Sequence, residues 1–396
     1  MSLTATMSHK SEINDPNPGF GCVPLVDKTW TGLALLLVPW QLSVFTLHRL
    51  SNIGHNEYSL KRGLATWLAR SVLPHFPITV SRAMISPNIA GVLEKPRFCE
   101  NKANVHDEYV RQADFSAQWL LKGPPGKAVA PASCDLVIYY MHGGAYRTGA
   151  CDASLVSFLR IAEILATKGI SVGVLSLNYS LTPEAKFPKP IDQAVAGYKY
   201  LLREVGVDAS RIAFQGDSAG GHLSLCLLSM LASHRLPSPG AGVILVSPWI
   251  DVLCSSRSGS YVRNKYNDFV DADDLGMQGR VVVGEAGSSS WYADFSRPLI
   301  DGRSWKDIIQ CKVWVCAGSG EIMLDDIARF VGLIKSENIE AVLDVKDGGM
   351  HVWQAIQDRF VEDAYLTAPG PQCPDGIMLG AANIAQGVLS VYPKHN

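Results

Sequence analysis

From Ser133 onward the sequence alternates between short, almost continuous apolar runs and longer segments whose apolar residues recur at helical spacing. No other feature restricts the fold as strongly, because a run of four to eight apolar residues bounded by turn signals is a strand buried on both faces. Leu136-Val137-Ile138-Tyr139-Tyr140-Met141 is the clearest run, and residues 170–177, 212–215, 243–246, 313–317 and 341–345 repeat it. Between them, residues 153–168, 191–205 and 219–232 carry helical periodicity, and a further helix ends at Glu337-Asn338. Buried strands alternating with helices predict an α/β fold with a mostly parallel central sheet flanked by helices. Such a sheet gathers its ligand groups at the carboxyl ends of the strands.

Two regions stand outside the alternation. Residues 1–120 are expected to be an N-terminal region that is mostly cap, and residues 121–396 the catalytic domain, with a cap insertion near 254–301 that is rich in Ser, Gly, Tyr and Asp. The two together are read as a lid over the strand ends. With 47% apolar and only 18% charged residues, a 396-residue chain can bury the core that this arrangement needs. The apolar stretch 33–47, interrupted by Pro39 and Gln41, is shorter than the roughly 20 residues that a membrane span requires. It is read as a cap helix, with interfacial membrane contact as the alternative. The first residues are polar and carry no secretory pattern, so an intracellular, cytoplasmic protein is expected, with peripheral membrane association as its variant. A net charge of -2 gives no reason to expect a nucleic-acid partner. Nine scattered cysteines without a CxxC pair read as buried thiols, neither a disulfide framework nor a zinc site, and no metal or organic cofactor is expected.

Four segments at expected strand ends carry the chemistry. Gly216-Asp217-Ser218-Ala219-Gly220 lies between a strand and a helix. A serine hydroxyl needs a reachable base and an exposed backbone position to act as a nucleophile, and a tight turn with small flanking residues provides the exposure. His142-Gly143-Gly144-Ala145-Tyr146 follows the first strand. The N–H groups of Gly143 and Gly144, joined by that of Ala219 at a helix N-terminus, suit a developing oxyanion. His142 is read as a brace for that loop, and His222, one turn beyond Ser218, as a packing residue. In Gly318-Ser319-Gly320-Glu321-Ile322-Met323-Leu324-Asp325-Asp326, an acid can orient a histidine; Glu321 stands nearest the strand and Asp325 remains open as the alternative. His351, after Gly348-Gly349, is placed as a general base would be.

These segments resemble the hormone-sensitive-lipase and arylacetamide-deacetylase group of α/β-hydrolases. Asn178-Tyr179-Ser180-Leu181-Thr182-Pro183-Glu184, Phe187-Pro188 and Ser247-Pro248-Trp249 also resemble segments of that group, and the match covers roughly residues 136–355. The order Ser, acid, His agrees with the α/β-hydrolase order. The resemblance implies the α/β-hydrolase fold, a triad of Ser218, Glu321 and His351, and an oxyanion hole from Gly143, Gly144 and Ala219. Many members carry a third glycine where Ala145 stands and an aspartate where Glu321 stands. The implied activity is cleavage of a small hydrophobic carboxylic ester with a short acyl group, acetyl among them, through an acyl-enzyme. The long N-terminal region looks most like fungal members acting on specialised metabolites. An acyltransferase or lactone-forming enzyme on the same acyl-enzyme is the alternative, and a non-catalytic ligand-binding protein is a third reading.

Overall fold

A computed structural model describes residues 23–51, 60–85, 89–256, 258–284, 287, 289–299, 302–370 and 373–393. Eight strands form one sheet: β1 (Val105–Arg111), β2 (Ser116–Lys122), β3 (Leu136–Met141), β4 (Val172–Leu177), β5 (Ile212–Asp217), β6 (Gly242–Val246), β7 (Val313–Gly318) and β8 (Ala341–Lys346). Their spatial order is β1-β2-β4-β3-β5-β6-β7-β8. β1 and β2 pair antiparallel, as do β2 and β4, and every pairing from β4 through β3 to β8 is parallel. All residues of β3, β4, β6 and β7 are buried, which is why these strands read as unbroken apolar runs.

Two apolar layers sandwich the sheet. On one side, Ile191, Ala194 and Leu201 of helix Lys189–Arg203, Leu223 and Leu227 of Ala219–Ser233, and Ile327 and Phe330 of Leu324–Ser336 pack against Val137, Phe214 and Val315. On the other, Phe158 and Leu159 of helix Leu155–Ala166, with Ala381 and Val388 of Leu379–Val391, pack against Ile138, Ile244 and Trp314. The expected strands and helices thus occur within a few residues of their expected limits.

Two expectations need correction. The boundary at 120/121 falls inside β2, and residues 105–122 extend the sheet. β1 is the edge strand and β2 joins it to β4; their sequences, VHDEYVR and SAQWLLK, mix polar and apolar residues and lack the continuous apolar run of the central strands. The N-terminal apolar segment is also longer than expected. Helix runs from Leu25 to Ser51, 27 residues interrupted only at Leu36, and it is apolar and long enough to cross a membrane by length and composition, with 11% of its most apolar window buried. Pro39 does not end it, because it sits in the first turn of the Leu37–Ser51 portion, where backbone N–H groups have no intrahelical partner.

Ala34 of this helix packs with Val72 and Phe76, while Leu36, Trp40 and Leu47 face outward. The following helices reach the insertion. Trp67 stacks on Tyr266 at 5.8 Å, and the Arg70 guanidinium donates to the carbonyl of Lys265. Arg82, 1% exposed, donates to both carboxylate oxygens of Glu184 (2.7 and 2.8 Å) and to the carbonyls of Arg147 (3.1 Å) and Thr182 (2.8 Å).

Candidate active site

The parallel strands β3, β5, β6, β7 and β8 run in the same direction, so the loops that leave their carboxyl ends meet at one rim of the sheet. From β5 the chain passes directly through Ser218 into helix Ala219–Ser233. Ser218 adopts φ 54 and ψ -115, a conformation that side-chain-bearing residues seldom occupy and that is retained where the surroundings enforce it. Its N–H donates to the Val246 carbonyl (2.9 Å), and its own carbonyl accepts from Trp249 (3.0 Å), fixing the turn against the end of β6. The turn closes only with glycine at 220, where an added Cβ would lie 1.9 Å from the Met141 carbonyl oxygen.

His351, after β8, lies with Nε2 2.8 Å from Ser218 Oγ. Its Nδ1 is 3.4 Å from Glu321 Oε2, a longer approach than an ideal hydrogen bond. All three side chains are buried: Ser218 is 7%, His351 4% and Glu321 0% exposed. The other oxygen of Glu321, Oε1, accepts from the Ser247 hydroxyl and the Gly318 N–H, both at 2.5 Å. The Ser247 hydroxyl in turn accepts from the Val352 N–H (3.0 Å), joining the loop after β6 to the loop that carries the histidine. Gly318 and Gly349 let the acid and base loops touch, since a Cβ at Gly318 would sit 2.3 Å from the Gly349 backbone.

Asp325 is elsewhere. Its carboxylate accepts from the Ser260 N–H (2.8 Å) and the Arg263 guanidinium (2.9 Å), holding the insertion rather than the imidazole. Gly143 lies against the nucleophile, where an added Cβ would be 3.4 Å from Ser218 Cβ, and Gly144 has φ +115. Among the described residues, no protein acceptor takes the N–H of Gly143, Gly144 or Ala219. Ala145, in place of a third glycine, has φ 53.

His142 stacks on Tyr179 at 4.3 Å, and its Nδ1 bonds the Gly143 carbonyl at 2.8 Å. His222 bridges the Tyr146 hydroxyl (2.8 Å) and the Tyr292 carbonyl (2.7 Å). Burial lowers both imidazoles to about 4, so both are neutral braces at neutral pH. His351 differs. Burial opposes its charge, but the Glu321 hydrogen bond and the charges of Glu321, Asp268 and Asp217 prevail, and it titrates above the usual histidine.

Two further contributors were given no role in the sequence analysis. Ser247, noticed in the sequence only as part of Ser-Pro-Trp, holds both acid and base loops. Asp268, in the insertion, accepts from the N–H groups of Ile322 (3.0 Å) and His351 (3.3 Å). Ser247 was signalled only by the resemblance of Ser247-Pro248-Trp249, and Asp268 by no sequence signal beyond a polar residue in the insertion.

Among the described residues, no group of three or more His, Cys, Asp or Glu side chains is arranged to hold a metal ion. The buried thiols are poor nucleophiles: burial pushes Cys254, Cys311 and Cys316 up to about 12. A cavity of about 310 Å³, lined by Tyr261, Val262, Lys265, Val270, Asp271 and Ile322 among others, lies at the insertion, and Ser218, Glu321 and His351 do not line it.

A mostly parallel sheet that bears a serine on a strand–turn–helix, with a histidine and an acid on later strand ends, defines the α/β-hydrolase class. Residues 138–355, more than half of the chain, match the family described as alpha/beta hydrolase fold, and the chain belongs to that family. Among relatives, an acetyl-hydrolase of Streptomyces hygroscopicus is 32% identical over 38% of this chain and 52% of its own length. A Schizosaccharomyces pombe protein provisionally named a steryl acetyl hydrolase is 25% identical over 85% of this chain and 90% of its own. The match thus spans only about half of the first relative. Among solved structures, an esterase/lipase from an uncultured bacterium superposes with a TM-score of 0.62 at 23% identity, covering 84% of this chain and 99% of its own.

Proposed function

We propose that this chain is a serine esterase cleaving a short-chain carboxylic ester, acetyl among the acyl groups, of a small hydrophobic molecule. The observation that carries the reading is the 2.8 Å approach of His351 Nε2 to Ser218 Oγ, with Glu321 on the opposite ring nitrogen. The names of the relatives, acetyl-hydrolase and ethyl acetate hydrolase, support the same class of substrate.

His351 takes the Ser218 hydroxyl proton as Oγ attacks the carbonyl carbon, and Glu321 stabilises the imidazolium that forms. The negative oxygen rests on the amides of Gly143, Gly144 and Ala219, of which a single donor is worth about 3 kcal/mol in the barrier. Collapse breaks the bond to the alkoxy group, which leaves as the alcohol with the proton from His351. Water, deprotonated by His351, then attacks the acyl-enzyme; the acid departs and Ser218 recovers its proton.

The helices of the N-terminal region and the insertion act together as a lid over this rim. The contacts of Trp67 and Arg70 with residues 265–266 and the Arg82–Glu184 pair support that role. Hydrolysis of p-nitrophenyl acetate tests the proposal. The unmodified protein turns it over, and Ser218→Ala lowers kcat at least about 10⁴-fold while leaving the fold intact. A Ser218→Ala protein with unmodified rates would refute it.

A further inference from the structure

The insertion holds the catalytic rim from outside the three side chains that do the proposed chemistry, through a short stretch from Asn264 to Phe269. Asn264, buried, donates from Nδ2 to the carbonyls of Ser319 (2.9 Å) and Glu321 (2.7 Å), so it grips the acid loop. Four residues on, Asp268 is 0% exposed. One of its oxygens accepts from the Ile322 N–H of the acid loop (3.0 Å), and the other from the His351 N–H of the base loop (3.3 Å). Phe269 lies with its ring centroid 5.9 Å from that of His351.

A buried carboxylate is expensive to desolvate and persists where hydrogen bonds and positive charge compensate it. Here burial pushes the Asp268 carboxyl up to about 6, against the pull of the imidazole and of three backbone donors, the N–H groups of Ile322, His351 and Val270 (3.5 Å). Bridging two loops through one rigid carboxylate fixes their separation, and that separation sets the Glu321–His351–Ser218 geometry.

We propose that Asp268 is a positioning residue that clasps the acid loop to the base loop, making assembly of the triad depend on the docked insertion. This rests on the serine-esterase reading above. The groups facing His351 are Glu321 from the loop after β7, Asp217 from the end of β5, and Asp268 from the insertion, and each charge favours the imidazolium. Asp268 therefore contributes twice, by holding the histidine backbone and by supporting the charge that forms on its ring.

Asp268→Asn keeps the shape but turns an amide N–H₂ toward backbone N–H donors on one side, so the bond to the Ile322 or to the His351 N–H is lost and the charge with it. Active sites are counted by burst titration with a fluorophosphonate, and kcat and kcat/KM for p-nitrophenyl acetate are measured per titrated site from pH 5 to 9. The expected result is a fall in kcat of about 10–100-fold with KM nearly unchanged, as small misplacements of reacting groups produce. The acid limb of the profile also moves to lower pH, because a carboxylate that raised His351 is gone. A residue that only supported folding would reduce the number of titrated sites without altering kcat per site or the limb, and that outcome would overturn the proposal. If the unmodified protein itself shows no burst, the esterase reading fails instead.

Hydrogen exchange on the unmodified protein provides a test that needs no variant. The Ile322 and His351 amides should be protected and should open together with residues 260–270. Rapid, independent exchange of these two amides would also overturn the clasp.

Discussion

The carboxylate of Glu321 meets the imidazole of His351, and the charges of Asp268 and Asp217 act on it from nearby, an asymmetry in charge that decides how the residue behaves. Only a neutral imidazole can take the Ser218 proton, so activity rises as pH passes upward through the His351 pKa. That pKa lies above the ordinary 6.5 despite full burial, because the favourable charges of Glu321, Asp268 and Asp217 outweigh desolvation. The acid limb of kcat/KM for p-nitrophenyl acetate should therefore fall above pH 6.5; a limb at or below about pH 6 would contradict it. The two acids that sequence reasoning could not separate differ sharply in surroundings. Glu321→Ala should reduce kcat by about 10⁴-fold, whereas Asp325→Ala, which loosens an ion pair on the insertion, should stay within roughly threefold. Equal losses in the two variants would refute the assignment of the acid. At this scale the sequence was informative where a proposed catalytic residue stands within five residues of a strand's carboxyl end, as Ser218, Glu321 and His351 do after β5, β7 and β8. It singled out Ser247 only within a resembling segment and was silent on Asp268; the roles of both lie in which groups of other loops they bond, a property that no local pattern encodes.

At the scale of elements, legibility followed burial. β3, β4, β6 and β7 are enclosed by helices on both faces, and their unbroken apolar runs marked them clearly. β1 at the sheet edge and β2 beside it carry His106, Asp107, Gln118 and Lys122, which interrupt the apolar pattern, so the region up to 120 reads as cap instead of sheet. Of the N-terminal helices only the apolar stretch 33–47 was legible as a helix, and how the region attaches was not, because attachment involves long-range contacts. Arg82 is one of these, an enclosed guanidinium shared between Glu184 and two carbonyls. Arg82→Ala would leave the Glu184 carboxylate and both carbonyls without their donor, and urea denaturation should register a loss of about 3 kcal/mol. A change below about 0.5 kcal/mol, the range of an ordinary surface substitution, would mean that the N-terminal helices are held by other contacts.

For the whole molecule, the sheet converts sequence distance into proximity. Ser218, Glu321 and His351 are separated by 103 and 30 residues in the chain. They meet because three parallel strands end at the same rim, with β6 and its Ser247 lying between the nucleophile and the acid. The N-terminal region and the insertion, remote in sequence, meet each other over Trp67 and Tyr266 on the outside of that arrangement. The central claim is that this convergence activates one particular hydroxyl among the many in the chain. The most direct measurement is reaction with a fluorophosphonate followed by peptide mass analysis, on the unmodified protein and on His351→Ala. A single adduct on the peptide containing Ser218, absent from folded His351→Ala, is the expected result; an unmodified Ser218, or equal labelling without the histidine, would contradict it.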